Sequence, residues 1–327
     1  MAGGTETMRS VVTGAGGFLG SHLVDWLFKE GHEVIGIDNF ITGDRRNLSH
    51  LEGHRRFKLL DRNVRDRFEP SGSIDYIFHL ASPASPIAYE RHPVETLLAG
   101  SEGTHRWLEV ARETGARFLL ASTSEVYGDP DDANHPQKET YFGNVNPVGP
   151  RSCYDEAKRF AEALTTNYGN EHGIETRIVR IFNTYGPRMR PDDGRVVPMF
   201  LSQALDEQPL TVFGDGSQTR SFCYVDDLVA GIVAVMESEI ADPVNLGNPD
   251  EVTVLDLALE IIALTGSRSR IDNKPPKPEE PRQRRPDINR ARTLIGWEPR
   301  IERSEGLRRT LVDFQLRRQS GSLQPVS

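Results

Sequence analysis

The run Val11-Val12-Thr13-Gly14-Ala15-Gly16-Gly17-Phe18-Leu19-Gly20 decides the fold. Val11-Val12 closes a short apolar strand. From Phe18 onward, Phe18, Leu19, Leu23, Trp26 and Leu27 fall on one helical stripe. Gly14-x-x-Gly17-x-x-Gly20 therefore sits at a strand-to-helix turn. Glycines there allow a tight turn, close approach of a pyrophosphate and close helix–sheet packing. The helix N-terminus presents free N–H groups and partial positive charge to phosphates. Gly31 ends the helix, and Glu33–Asp38 reads as a second strand. Asp38 closes that strand about 20 residues past the glycines, where a carboxylate accepts from both ribose hydroxyls and repels a 2′-phosphate. The expected cofactor is NAD rather than NADP, with Arg45 and Arg46 the neighbours that argue the other way.

Working outward, apolar runs at 57–60, 74–80, 117–121 and 176–181 alternate with helical segments, notably 93–114 and 152–172. Strands alternating with helices imply a parallel sheet covered on both faces. The fold class is α/β: a Rossmann-type doubly wound parallel sheet with a smaller C-terminal substrate-binding domain. After Asn183 the rhythm changes. Helices are expected at 196–208, 225–238, 254–264 and 305–318, with strands at 210–213 and 244–246. The proline- and charge-rich stretch 274–286 reads as an extended loop. The division expected is residues 8–182 for NAD, with later contributions from 211–250, and residues 183–318 for substrate. Residues 1–7 and 319–327 are expected to be disordered.

The 327 residues carry a net charge of −9, which argues against a nucleic-acid partner, since that needs a basic face. The two cysteines, Cys153 and Cys223, show neither disulfide nor metal-ligand spacing, so no metal is expected and a reducing compartment fits. No run approaches the ~18 apolar residues of a membrane helix, and residues 1–8 lack the apolar centre of a signal peptide. A cytoplasmic protein without membrane partners is expected.

Tyr154 and Lys158 lie one turn apart in the segment opened by Pro150-Arg151-Ser152, so they share a helix face. They follow Ser122-Thr123-Ser124-Glu125-Val126-Tyr127-Gly128. A phenol with a pKa near 10 needs about 4 kcal/mol of phenolate stabilisation to act as a base near pH 7. The Lys158 ammonium and a positive nicotinamide ring are the expected sources. Thr123, at the end of a strand, is placed to hydrogen-bond the reacting hydroxyl. Leu80-Ala81-Ser82, after another strand, would flank the far half of the cofactor. Cys153 reads as inert packing.

With these motifs in hand, the chain resembles an extended short-chain dehydrogenase/reductase and, more closely, the UDP-glucuronic acid decarboxylases. Residues 13–22, Asp38-Asn39-Phe40, 79–86, 121–130, 146–158, 180–189, Gly194-Arg195-Val196-Val197, 216–220, 243–249, Arg285-Pro286-Asp287-Ile288 and Gly296-Trp297-Glu298-Pro299 carry the resemblance. It implies that Thr123, Tyr154 and Lys158 run a redox step and that Glu125 and Arg284 serve decarboxylation. It places Gly14, Gly17, Phe18, Leu19, Gly20, Asp38, Asn39, Phe40, Thr42, Gly43, Leu80 and Ser82, with Tyr154 and Lys158, around NAD. It places Pro86, Tyr89, Asn183, Arg195, Gln218, Arg220 and Arg284 around UDP-glucuronate, and it implies a homodimer joined through the 93–114 and 152–172 segments. One departure is Ala99-Gly100-Ser101, where the family pattern has Lys-Thr-Asn; its loss is expected to weaken ordering of the site. A 4,6-dehydratase would want an aspartate where Ser124 stands. A 4-epimerase would have no use for Glu125 and Arg284. A silent NAD-binding homologue would not need Tyr154 and Lys158.

Overall fold

The structure is a computed structural model that describes residues 7–276 and 283–321. Six strands, β1 (Arg9–Thr13), β2 (Glu33–Asp38), β3 (Phe57–Asp61), β4 (Tyr76–His79), β5 (Arg117–Thr123) and β6 (Thr176–Ile181), join a seventh, Val244–Leu246, in one parallel sheet. Its spatial order is Val244–Leu246, β6, β5, β4, β1, β2, β3. The chain winds one way from β1 to β3 and the other way from β4 on. The carboxyl ends of β1 and β4 thus flank a topological switch point, where open α/β sheets bind ligands.

Consecutive strand residues alternate between two cores, as the two-residue period requires. Val12, Val34, Phe78, Leu119 and Val179 enter one cluster, with Leu23, Val24 and Leu27 of helix α1 (Phe18–Lys29). Val11, Ile35, Ile77, Phe118 and Ile178 enter the other, with Trp107 and Leu108 of helix Thr104–Thr114. Burial on both faces explains why these strands read as unbroken apolar runs.

Several elements differ from the sequence reading. The 93–114 segment is broken into Pro93–Leu98, a π-helical turn Ala99–Gly103 and Thr104–Thr114. The turn brings Gly100 against helix Ser152–His172: a Cβ on Gly100 would lie 2.8 Å from the Ala157 carbonyl oxygen. The expected Lys-Thr-Asn pattern is thus replaced by small residues at a close helix crossing. Ile271–Lys274 is a strand paired with Leu210–Phe213, so the expected loop starts later. Of that loop, residues 277–282 lie outside the described residues. The last helix, Arg303–Gln319, includes Gln319, which is therefore helical rather than part of a tail. Thr7 is described, whereas residues 1–6 and 322–327 lie outside the described residues. Among the described residues, no helix is long and apolar enough to cross a membrane.

Candidate active site

A cavity of about 580 Å³ opens over the switch point, from Asp38 at one end to Phe213 and Gln218 at the other. That is ample for a bound small molecule or cofactor. The glycine loop forms its floor. Gly14 has φ +73°, and its N–H donates to the Ile37 carbonyl at 2.8 Å. A Cβ on Gly20 would stand 2.0 Å from the Gly14 carbonyl oxygen, so no larger residue lets α1 come this close. Gly17 is the N-cap of α1, with no side-chain cap and no acid in the first turn. The first N–H groups and the positive helix end thus face the cavity uncompensated.

Asp38 is buried at the end of β2, and its carboxylate accepts from Gly16 N–H at 2.9 Å and Phe40 N–H at 2.7 Å. It caps no helix. Burial raises its pKa against the opposing pull of those two N–H groups. Two of the expected cofactor contacts, Phe40 and Gly43, do not line the cavity; they buttress Asp38 instead. Phe40 has φ +57° and stands against Gly16 beneath the Arg45 guanidinium, 4.0 Å from the ring centre. A Cβ on Gly43 would lie 2.9 Å from the Asp38 oxygens. Gly14, Gly17, Phe18, Leu19, Gly20, Asp38, Asn39, Thr42, Leu80 and Ser82 all line the cavity. Arg45 pairs with Asp61 and Arg46 with Asp44, and neither lines it. Arg62 and Arg65, which follow β3, do line it, so the preference for NAD rests on the Asp38 carboxylate, which accepts from ribose hydroxyls and repels a 2′-phosphate. Asp38→Asn, which keeps one acceptor and removes the charge, should weaken NAD binding roughly 10- to 100-fold, the worth of charge-assisted hydrogen bonds. Calorimetric titration checks this, and unchanged affinity would count against Asp38 as the ribose ligand.

The reactive groups come from two elements. β5 ends at Thr123, whose Oγ1 accepts from Glu125 N–H at 3.2 Å and caps the 3₁₀ turn Ser124–Tyr127. Helix Ser152–His172 brings Tyr154 and Lys158 to the same wall, both buried. Thr123 hydrogen-bonds Tyr154. The Tyr154 ring stacks on Tyr89 at 5.2 Å and 11°. Lys158 Nζ donates to the Ala121 carbonyl at 2.8 Å and lies 5.9 Å from the Tyr154 ring centre.

The expected influence of lysine on tyrosine is not what the site shows. Burial pushes Tyr154 up to about 12, with Glu125 and Asp155 adding to the rise and the Thr123 hydrogen bond opposing it. Burial pulls Lys158 down to about 8. Desolvation penalises both charges, and the ammonium is spent on a carbonyl rather than on the phenol oxygen. The protein alone keeps the phenol neutral.

Glu125, Arg284 and Arg151 form a second constellation. Arg284 grips Glu125 with both terminal nitrogens, Nη2 at 2.8 Å, and Arg151 Nη2 lies 2.5 Å from Glu125 Oε2. Burial works against ionisation of Glu125, but the two guanidinium groups hold its carboxyl below the usual range. Arg151 was read in the sequence only as part of the helix start Pro150-Arg151-Ser152 and not as a site residue. With Asp155 protonated, two guanidiniums against one carboxylate leave one positive charge in surplus beside Tyr154. Asp155, buried behind this cluster with Oδ1 unpartnered, is pushed up to about 7 by burial and then by Glu125. The folded state therefore holds its proton more tightly than the unfolded chain does. Its stabilising effect is complete below about pH 4 and fades as pH rises through about 7. Asp155→Asn should raise the melting temperature at pH 8 and leave it nearly unchanged at pH 4; an equal shift at both would contradict that direction.

The expected substrate residues Pro86, Tyr89, Asn183, Arg195, Gln218, Arg220 and Arg284 all line the cavity. Arg195 is held by Asp193 at 2.6 Å and stands 5.7 Å from the Phe18 ring centre, bridging the two ends. Gln218 donates to the Phe213 carbonyl at 2.8 Å and Arg220 to its neighbour Thr219 at 2.8 Å. Cys153 is buried against Tyr89 and Tyr154, and burial raises its thiol pKa, so it is packing rather than nucleophile.

Comparison with known proteins shows the family. The model of the NAD dependent epimerase/dehydratase family matches residues 10–247. UDP-glucuronic acid decarboxylase 1 of Arabidopsis thaliana is 53% identical over 315 residues, 96% of this chain and 71% of that protein. UDP-glucuronic acid decarboxylase 6 of the same plant is 51% identical over 313 residues, 95% of this chain and 90% of that protein. Among solved structures, UDP-glucuronic acid 4-epimerase from Bacillus cereus, in complex with UDP-glucuronic acid and NAD, superposes with a TM-score of 0.83. It is 30% identical and covers 94% of this chain and 99% of its own.

Proposed function

The chain belongs to the NAD dependent epimerase/dehydratase family and, within it, to the UDP-glucuronic acid decarboxylases, and from that membership we propose that it converts UDP-glucuronate to UDP-xylose and CO2 through a 4-keto intermediate. The observation that carries this reading is the Glu125–Arg284–Arg151 cluster on the same wall as Tyr154 and Thr123. Its surplus positive charge matches a substrate carboxylate and would have little use against a neutral sugar.

The cofactor is NAD. Gly14, Gly17, Phe18, Leu19 and Gly20 would receive its pyrophosphate, Asp38, Asn39 and Thr42 its ribose, and Leu80 and Ser82 its far half, with Tyr154 and Lys158 beside the nicotinamide. When bound, NAD would supply a hydride acceptor for C4, the hydride to be returned once CO2 has left, and the positive charge that the Tyr154 phenol lacks. Tyr154 then accepts the C4 hydroxyl proton. The resulting ketone lies β to the carboxylate, so the electron pair of the breaking C5–carboxylate bond is taken up by the C4 oxygen. Tyr154 O–H and Thr123 O–H donate hydrogen bonds to that enolate oxygen. Arg284 and Glu125 shape the surroundings of the departing carboxylate. A guanidinium does not surrender a proton in proteins, so C5 is protonated by a water that Arg284 holds. Pro86, Tyr89, Asn183, Arg195, Gln218 and Arg220 would bind the nucleotide-sugar. In this reading residues 8–182, with a share of 211–250, serve the cofactor and residues 183–318 the substrate.

A cytoplasmic homodimer completes the proposal. Two buried free cysteines suit a reducing compartment, and Val94, Leu97 and Phe160 leave apolar surface exposed on the helices expected to pair. Incubation with UDP-glucuronate and NAD tests the function. CO2 and UDP-xylose are expected; UDP-galacturonate would make the protein an epimerase, and a released 4-keto pentose would mean that the final reduction is uncoupled.

A further inference from the structure

Arg284 reaches Glu125 across 159 residues of chain, so something must hold its segment in register. The described residues before and after it form little regular structure. Ser221 Oγ donates to the Arg284 carbonyl at 3.3 Å. The stronger grip comes from Gln137, which is 1% exposed and does not line the cavity. Its backbone pairs with Pro286 in an isolated bridge: Gln137 N–H donates to the Arg285 carbonyl at 2.9 Å, and Asp287 N–H donates to the Gln137 carbonyl at 2.8 Å. Its side chain adds a third bond, Oε1 accepting from Arg285 N–H at 2.8 Å. This contact fixes the amide orientation, since only the oxygen can accept from an N–H.

Gln137 is itself anchored to the rest of the site. Asn245 Nδ2 donates to the Gln137 and Asp287 carbonyls, both at 3.0 Å, and Asn245 Oδ1 accepts from Tyr127 O–H at 2.7 Å. Tyr127 closes the same 3₁₀ turn that carries Glu125. One buried chain of hydrogen bonds thus ties the Arg284 segment to the turn that presents its partner. We propose that Gln137 is a positioning residue for decarboxylation, holding Arg284 in register with Glu125 while taking no part in the oxidation at Tyr154. This rests on the decarboxylase reading above.

The test uses Gln137→Met, which keeps length and removes the acceptor, and Gln137→Glu, which restores it. Each full-length protein is mixed with UDP-glucuronate and NAD, and reduced-cofactor absorbance and CO2 release are followed separately. Misplacing a catalytic group by about 1 Å can cost 10²-fold. In Gln137→Met, CO2 release should fall roughly 10- to 100-fold while the first appearance of reduced cofactor stays near the wild-type rate. Gln137→Glu should recover most of the loss. If both steps fall together, or neither does, or Glu fails to rescue, the proposal is overturned. Should Gln137→Met fail to fold, Gln137→Asn, whose amide is drawn back by one methylene, takes its place with the same outcomes. Absence of CO2 from the wild-type protein would overturn the decarboxylase reading itself, and is thereby distinct from failure of Gln137 alone.

Discussion

Tyr154→Phe is expected to lower turnover of UDP-glucuronate by roughly 10²- to 10⁴-fold, the usual worth of a positioned acid–base group. The phenylalanine ring keeps the stack on Tyr89 and the apolar contacts of the helix start, so the fold should survive. What disappears is the oxygen that takes the C4 proton and later donates to the enolate. Oxidation precedes CO2 loss, so both reduced cofactor and CO2 should fall together when read in the same stopped reaction. Near-wild-type turnover would remove Tyr154 from the mechanism. Lys158 adds a pH signature. Its ammonium, which would stand beside the nicotinamide, is pulled down to about 8 by burial and is lost as pH rises through that value, so an assay of activity against pH should show a decline above it.

Arg284→Ala should separate the two steps instead. Removal of a preorganised donor at a developing charge typically costs 10²–10³-fold, and here the loss should fall on CO2 release. Arg151 remains 2.5 Å from Glu125, so the carboxylate keeps a cationic partner and the turn at 124–127 keeps its shape. Reduced cofactor should therefore form and persist while CO2 lags. An unchanged CO2 rate would exclude Arg284 from the reaction. Loss of reduced cofactor as well would show that the pair is needed to bind the sugar before any chemistry.

The contrast between these variants follows what could and could not be read along the chain. The glycine turn, the two-residue alternation of the strands and Asp38 at the end of β2 are local features, and local spacing reveals them. Tyr154 and Lys158 are equally local, four residues apart on one helix. Arg151 and Gln137 escaped because their partners, Glu125 and Arg285, are distant in sequence and chosen by the fold. The strand Ile271–Lys274 escaped because Ile271-Asp272-Asn273-Lys274 is mostly polar and pairs with a single short neighbour. The π turn at Ala99–Gly103 has no periodic signature at all; it follows from the close approach of Gly100 to Ala157. The burial that raises the Tyr154 phenol and lowers the Lys158 ammonium was hidden for a related reason: spacing shows that two groups can meet, but not how much water they lose.

The central claim is an oxidation, a loss of CO2 and a return of the same hydride within one site. UDP-glucuronate carrying deuterium at C4 tests it in one mass-spectrometric measurement of the product. The expected result is UDP-xylose with deuterium still at C4 and one CO2 released for each molecule formed, without added reduced cofactor. A product that keeps its carboxylate, or UDP-xylose that has lost the deuterium, would contradict it.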